Sequence, residues 1–154
     1  MKTQLDIINY YIAHKEQDML GFMAEAILPY LSVEQVKTLF PDADLKDWVT
    51  IPLTEADVIE DARKYMEFAW DKALNHRGIS ASRSIQKMQG WMWLLGKDEL
   101  SHRCEKNEGY APYGAPILAA ICREMGWPIP SDEITQRMIL GKSCHETCDE
   151  GCDS

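Results

Sequence analysis

The chain has 154 residues, enough for one compact domain, and its hydrophobic content of 45% is ordinary for a globular protein. Its net charge of −9 disfavours non-specific binding to nucleic acid and to anionic membranes. Because the sequence has neither an apolar run near the ~18 residues of a membrane span nor an apolar leader at its start, we predict a cytoplasmic protein with no membrane contact.

The charge is unevenly distributed along the chain. Residues 41–75 hold nine acids against four bases, and residues 107–154 hold eight acids against three bases. Between them, residues 76–106 hold six bases against three acids. An acidic protein with one basic segment favours a protein partner or an anionic small molecule and makes a nucleic-acid partner unlikely.

The first forty residues predict three helices. Apolar residues recur at helical spacing from Leu5 to Ile12 and again over residues 20–31, with a polar break between them. Pro29 lies where it ends or kinks the second helix. The sequence Ser32-Val-Glu-Gln is a capping-box pattern and predicts a short helix over residues 33–40.

Residues 41–53 have no clear period and predict a loop, which we expect Trp48, Val49 and Ile51 to fasten to the core. The longest helix then starts at Thr54-Glu-Ala-Asp and runs to about residue 75. Its apolar face is predicted to be Val58, Ala62, Tyr65, Ala69 and Ala73, and the spacing of Glu60 and Lys64 indicates a salt bridge.

The second half of the chain continues the helical pattern. A helix starts at Ser80 or Ser82 and ends at Gly96, with an apolar stripe of Ile85, Met88, Met92 and Leu95. A short helix over 97–106, a loop over 108–116, a helix from 117 to 125 and a last helix ending at Gly141 follow. The sequence thus predicts an all-α, single-domain bundle of about six to eight helices.

The centre of this bundle is predicted to be the antiparallel pair of helices over 55–76 and 80–96. We expect residues 1–141 to form the helical domain. Residues 142–154 form a Cys/His-rich acidic tail that is expected to pack on that domain.

This tail is the strongest candidate for a metal site. Its spacing is Cys144-x3-Cys148-x3-Cys152, with His145 next to the first cysteine. Thiolate and imidazole are the ligands that Zn²⁺ prefers, and four of them close a structural site. The fourth ligand is predicted to be His145 or a residue of the pair His102 and Cys104. A redox or disulfide role and a reduced tail without a ligand stay open as alternatives.

The turn from residue 76 to 84 is a candidate anion site. Arg77, Ser80, Ser82 and Arg83 surround the start of a predicted helix, where free backbone N–H groups add positive potential. A capped helix with ordinary surface bases is the alternative. DNA binding through this turn is disfavoured because the same helix continues into the apolar run from Trp91 to Leu95.

A third candidate is the loop Gly109–Pro116, in which two tyrosines are flanked by Pro and Gly; such a loop lines a ligand pocket or packs over the core. No common catalytic motif is present. We therefore predict a macromolecular-interaction or regulatory module, of bacterial or phage type, that binds a protein partner and carries a zinc-stapled tail. The alternatives are a redox protein or enzyme that uses the tail cysteines, and an anion-binding module at residues 76–84.

Overall fold

The structure, a computed structural model, describes residues 1–16, 20–75, 79–106 and 114–140. Within these ranges the chain forms eight α-helices and no strand, which confirms the predicted all-α bundle. A 3₁₀ turn, Leu28–Tyr30, follows the second helix. The helices are α1 (Gln4–His14), α2 (Leu20–Ile27), α3 (Val33–Leu39), α4 (Glu55–Asn75), α5 (Ile79–Leu94), α6 (Asp98–Glu105), α7 (Ala115–Met125) and α8 (Glu133–Ile139).

Helix α5 is the centre of the bundle, because it packs against α2, α4 and α6. A helix with neighbours on several sides is buried on more than one face. The predicted stripe Ile85, Met88, Met92 and Leu95 is buried, as expected, and so are residues outside it. Trp91, Ser84 and Gln89 are also buried, so the stripe covers only part of the helix surface that packs into the core.

Glycine permits the close approach of α5 to α2. A Cβ atom added at Gly90 would lie 3.0 Å from Ala26 Cβ and 3.1 Å from the Met23 carbonyl oxygen. Any side chain at position 90 would therefore separate the two helices. Gly90 keeps α2 in the position from which it contributes to the groove described below.

Capping residues start α3, α4 and α8. The Ser32 hydroxyl accepts from the Gln35 backbone N–H at 3.1 Å, and the Gln35 side chain accepts from the Ser32 N–H. Thr54 accepts from the backbone N–H of Asp57 in the same way. Asp132 accepts from the N–H of Thr135, and these contacts lower the pKa of the Asp132 carboxyl.

The loop between α3 and α4 is tied to the 3₁₀ turn by three hydrogen bonds. The Trp48 indole N–H and the Thr50 hydroxyl both donate to the Leu31 carbonyl, at 3.0 and 2.8 Å. The backbone N–H of Ile51 donates to the Pro29 carbonyl at 3.0 Å. Trp48 and Ile51 pack against the core as predicted. Val49 does not, because its side chain is 79% exposed.

Two other local predictions need correction. In α1 the residue that enters the core is Ile7, whereas Leu5 and Ile12 of the predicted face are exposed. Helix α7 starts at Ala115 with a proline in its first turn, so its start lies inside the segment predicted as a loop. Gly96 and Gly126 lie just beyond the ends of α5 and α7 with φ values of 79° and 74°, which confirms the predicted ends of these helices near residues 96 and 125.

No helix in the described part of the chain is long and apolar enough to cross a bilayer. Trp70, Trp91 and Cys122 are buried core residues, while Trp93 is partly buried and packs against the core.

Candidate functional site

The most distinctive surface of the protein is a groove between α2, α4 and α5. One side comes from a single face of α4, because Asp61, Lys64, Tyr65 and Phe68 recur at the three- and four-residue spacing of a helix. Phe68 is 47% exposed, and it is the one aromatic residue that is exposed in the described part of the chain. We call this feature the α4 groove.

The floor of the α4 groove is a chain of hydrogen bonds between side chains from three elements. The Tyr30 hydroxyl donates to Asp61 Oδ2 at 2.5 Å. The Trp91 indole N–H donates to the same hydroxyl oxygen at 3.2 Å. Burial and the hydrogen bond to Asp61 raise the pKa of Tyr30 far above its ordinary value, against the opposing effect of the Trp91 donor. Tyr30 therefore stays neutral at all physiological pH values.

Aromatic contacts continue from this floor to the rim. The ring of Tyr65 lies 5.1 Å from that of Trp91 and 5.1 Å from that of Phe68, with tilted planes in both pairs. Such geometry is favourable because the edge of one ring meets the face of the next. The three rings form a continuous apolar path from the buried Trp91 to the exposed Phe68.

The α4 groove has a volume of about 450 Å³, within the range of about 300–1,000 Å³ that is usual for ligand pockets. It is open to solvent. Its other walls come from α2, the 3₁₀ turn and the loop that is tied to that turn. Its lining residues are Glu25, Ala26, Pro29, Tyr30, Ile51, Asp61, Lys64, Tyr65, Phe68, Lys87 and Trp91.

The charged groups of the lining are arranged around the aromatic rings. Lys87 pairs with Glu25 at 3.2 Å, and its ammonium nitrogen lies 5.1 Å from the centre of the Tyr65 ring. Lys64 lies at the rim, 3.9 Å from Glu60. Glu60 makes its shorter ion pair with Arg63, at 2.7 Å, which lowers the pKa of the Glu60 carboxyl. The predicted Glu60–Lys64 contact is thus present but secondary.

A second concavity, of about 590 Å³, lies between α6 and α7. Charged side chains dominate its lining, and Lys97 pairs with Glu124 there at 2.8 Å. Its described lining contains no aromatic residue. It therefore offers a ligand less apolar surface than the α4 groove does.

The predicted metal site lies mainly outside the described residues, which include none of Cys144, His145, Cys148 and Cys152. Of the remote ligands, His102 is exposed on α6, with Nδ1 3.7 Å from Glu105 Oε1, whereas Cys104 is fully buried in the core. His102 is thus the accessible member of the pair. In the described ranges no three His, Cys, Asp or Glu side chains are placed to hold a metal ion together. The tail site stays a prediction.

The predicted anion site is described only in part, since Arg77 and the side chain of Ser80 lie outside the description. Ser82 is partly buried in the first turns of α5. Arg83 is exposed, and its guanidinium carbon lies 4.7 Å from the centre of the Phe22 ring on α2. This contact directs Arg83 toward α2, along the same side of α5 as Lys87. The anion site stays a prediction, as does the tyrosine loop, whose residues 109–113 are also outside the description.

Sequence reasoning missed the α4 groove. Tyr65 falls in the predicted apolar face of the longest helix and Trp91 in the apolar run that ends at Leu95, and no pattern in the sequence distinguishes Asp61. The available signal was Phe68, a large aromatic residue that belongs to no predicted core stripe and is flanked by lysines at 64 and 72.

Comparison of the chain with protein-family models, with curated proteins and with solved structures gives no match.

Proposed function

We propose that the protein is an interaction module that binds a protein partner in the α4 groove. The observation that carries the proposal is the exposed ring of Phe68 at the end of the path formed by Tyr65 and Trp91. Aromatic residues are enriched in protein–protein interfaces, and a few residues near the centre of an interface contribute most of the binding energy.

Two further properties support this function. The groove is built on helices of the bundle, and Tyr30 and Trp91 are fixed by hydrogen bonds, so little ordering is needed on binding. Its lining also combines apolar side chains, among them Pro29, Ile51 and Phe68, with charged groups, which is the usual composition of an interface.

A peptide display selection tests the proposal. A random library of twelve-residue peptides is selected on the immobilised full-length protein, and the enriched peptides are measured for binding to Phe68→Ser. We expect enriched peptides whose binding weakens by at least about tenfold in this variant, as for a residue central to an interface.

Leu5→Ser is the matched control, because Leu5 is a 63% exposed apolar residue on α1 and is not part of the groove lining. This variant should bind the peptides as well as the original protein. Enriched peptides that bind Phe68→Ser and the original protein equally well would overturn the proposal, and so would the absence of enriched peptides.

The zinc-stapled tail is a separate proposal, supported by the ligand chemistry and spacing of Cys144, Cys148 and Cys152. It is tested by metal content, as described in the Discussion. Its outcome does not affect the proposal for the α4 groove.

A further inference from the structure

The charged side chains of the α4 groove balance one another. The described lining holds two acids, Glu25 and Asp61, and two bases, Lys64 and Lys87. Glu25 and Lys87 form an ion pair at 3.2 Å. Asp61 and Lys64 lie on neighbouring turns of α4, and the Lys64 ammonium nitrogen also lies 3.9 Å from Glu60. The described lining therefore presents no surplus charge of either sign to an occupant.

A charged side chain would gain little from entering this groove. Burial removes part of its hydration, and only a counter-charge that is not already engaged compensates for that loss. Glu25 and Lys87 would have to separate before either could pair with an occupant, and Asp61 already accepts the Tyr30 hydroxyl. An uncharged apolar side chain has no such cost, and it contacts Phe68 and the other apolar residues of the lining.

Most hydrogen-bond donors along the groove are also in use. Of the eleven residues described in the lining, eight lie within α2, α4 and α5 beyond the first turn, where each backbone N–H donates to the carbonyl four residues earlier. Pro29 has no N–H, and Ile51 donates its own to the Pro29 carbonyl at 3.0 Å. The Trp91 indole donates to Tyr30, and the Tyr30 hydroxyl donates to the carboxylate beside it.

This use of the donors favours a helical occupant over an extended one. An extended peptide needs partners for its backbone groups, and those that lose water against this lining would find few. Recognition by strand addition requires a sheet edge, and the described part of the chain contains no strand. An α-helix satisfies its own backbone groups and presents only side chains to the groove.

We infer that the occupant of the α4 groove is an amphipathic α-helix of the partner, which places an uncharged apolar face against Phe68 and the neighbouring lining. This inference rests on the proposed function and specifies its partner. The apolar residues of such a helix recur three, four and seven positions apart. Its charged residues lie on the opposite face, in water.

The peptides enriched on the full-length protein test the helix through their spacing and through proline substitution. Twelve residues form about three turns, enough to present one apolar face. We expect apolar residues three or four positions apart. In one enriched peptide, proline at a central position of the polar face should weaken binding at least about tenfold, as measured by fluorescence anisotropy. Alanine at the same position is the matched control and should bind as the parent peptide does. Equal binding of the two would indicate an extended occupant and overturn the inference.

Salt and one substitution in the protein test the uncharged face. The dissociation constant should rise less than about threefold between about 50 and 500 mM NaCl, because salt screens contacts between charges and not apolar contacts. Lys64→Gln removes one charge of the lining and should also weaken binding by less than about threefold. A larger weakening in either measurement would show that charge pairing holds the occupant, and it would overturn the inference.

The outcomes separate the inference from the function on which it rests. Enriched peptides that depend on Phe68 but tolerate proline, or that depend on charge, would overturn the uncharged helix and leave the proposed function in place. Enriched peptides that do not depend on Phe68 would overturn both.

Two other occupants are tested with the same protein and peptide. Self-association of the full-length protein that is abolished by Phe68→Ser would indicate a second copy in the groove. Displacement of the enriched peptide by a synthetic peptide of residues 142–154 would indicate the acidic tail of this chain. Either result would overturn the inference.

Discussion

Tyr30 and Asp61 lie 31 positions apart in the chain, and a hydrogen bond of 2.5 Å from the Tyr30 hydroxyl to Asp61 Oδ2 joins them. It links the 3₁₀ turn to α4. The Trp91 indole N–H donates to the same hydroxyl, so α5 joins the link as well. Three elements thus meet at one oxygen atom, beneath the surface on which we propose that a partner binds.

Removal of the acceptor should destabilise the protein. Asp61→Ala leaves the buried Tyr30 hydroxyl without its carboxylate, at a cost of about 1–3 kcal/mol in the free energy of unfolding. Urea denaturation followed by circular dichroism measures this change. Asp61→Asn, which retains an acceptor oxygen, should lower the free energy of unfolding by less. Glu67→Gln, on the exposed surface of α4, should leave it almost unchanged. An unchanged midpoint for Asp61→Ala would contradict a structural role for the contact.

Alkaline pH should destabilise the protein through Tyr30. Its pKa is raised by folding from an ordinary value of 10.0, so the unfolded chain loses this proton at lower pH than the folded protein does. The stability that the protein gains from this raised pKa is fully present below pH 10 and is lost as the pH rises above it. Tm measured from about pH 9 to 12 should therefore fall less steeply for Tyr30→Phe than for the original protein. Identical slopes would show that Tyr30 ionises equally easily in both states.

Gly90→Ala should destabilise the bundle although alanine favours helix. The added Cβ would lie 3.0 Å from Ala26 Cβ and 3.1 Å from the Met23 carbonyl oxygen, and neither atom can move without the α2 backbone. Overpacking of about 1–3 kcal/mol outweighs a gain in helix propensity of about 1 kcal/mol. Thermal denaturation would measure the difference. A higher Tm would mean that α2 and α5 separate at little cost.

Cysteine accessibility and metal content together test the zinc proposal. Cys104 and Cys122 are fully buried, and burial raises the pKa of the Cys122 thiol, so both should react slowly with a thiol reagent in the native protein. Protein purified without a metal-affinity tag should contain about one zinc per chain, with the other three of its five thiols protected until a chelator is added. A metal-free protein with three rapidly labelled thiols would rule out the zinc tail.

Much of the fold follows from local sequence signals. The stripe of α5, the capping box at Ser32 and the stops at Gly96 and Gly126 depend on residues close in sequence, and all were predicted correctly. The buried face of α1 was not predicted correctly. Leu5, Ile7, Ile8 and Ile12 offer more than one apolar stripe, and contacts with distant parts of the chain decide that Ile7 enters the core.

The α4 groove could not be predicted in the same way. It depends on the meeting of Tyr30, Asp61 and Trp91, whose mutual distances along the chain give no periodic pattern. Capping and amphipathic spacing report on one helix at a time. Tertiary packing determines the surfaces between helices. Phe68 was the one residue in the sequence that indicated such a surface.

The most direct test of the central claim is an NMR titration of the indole N–H signals of the five tryptophans. An enriched peptide is added to the nitrogen-15-labelled full-length protein. Because the Trp91 indole N–H donates to Tyr30 at the floor of the groove, binding there should shift its signal and leave that of Trp127 unchanged. The Trp91 shift should be greatly reduced in Phe68→Ser and retained in Leu5→Ser. A peptide that binds while the Trp91 signal stays in place would contradict the account.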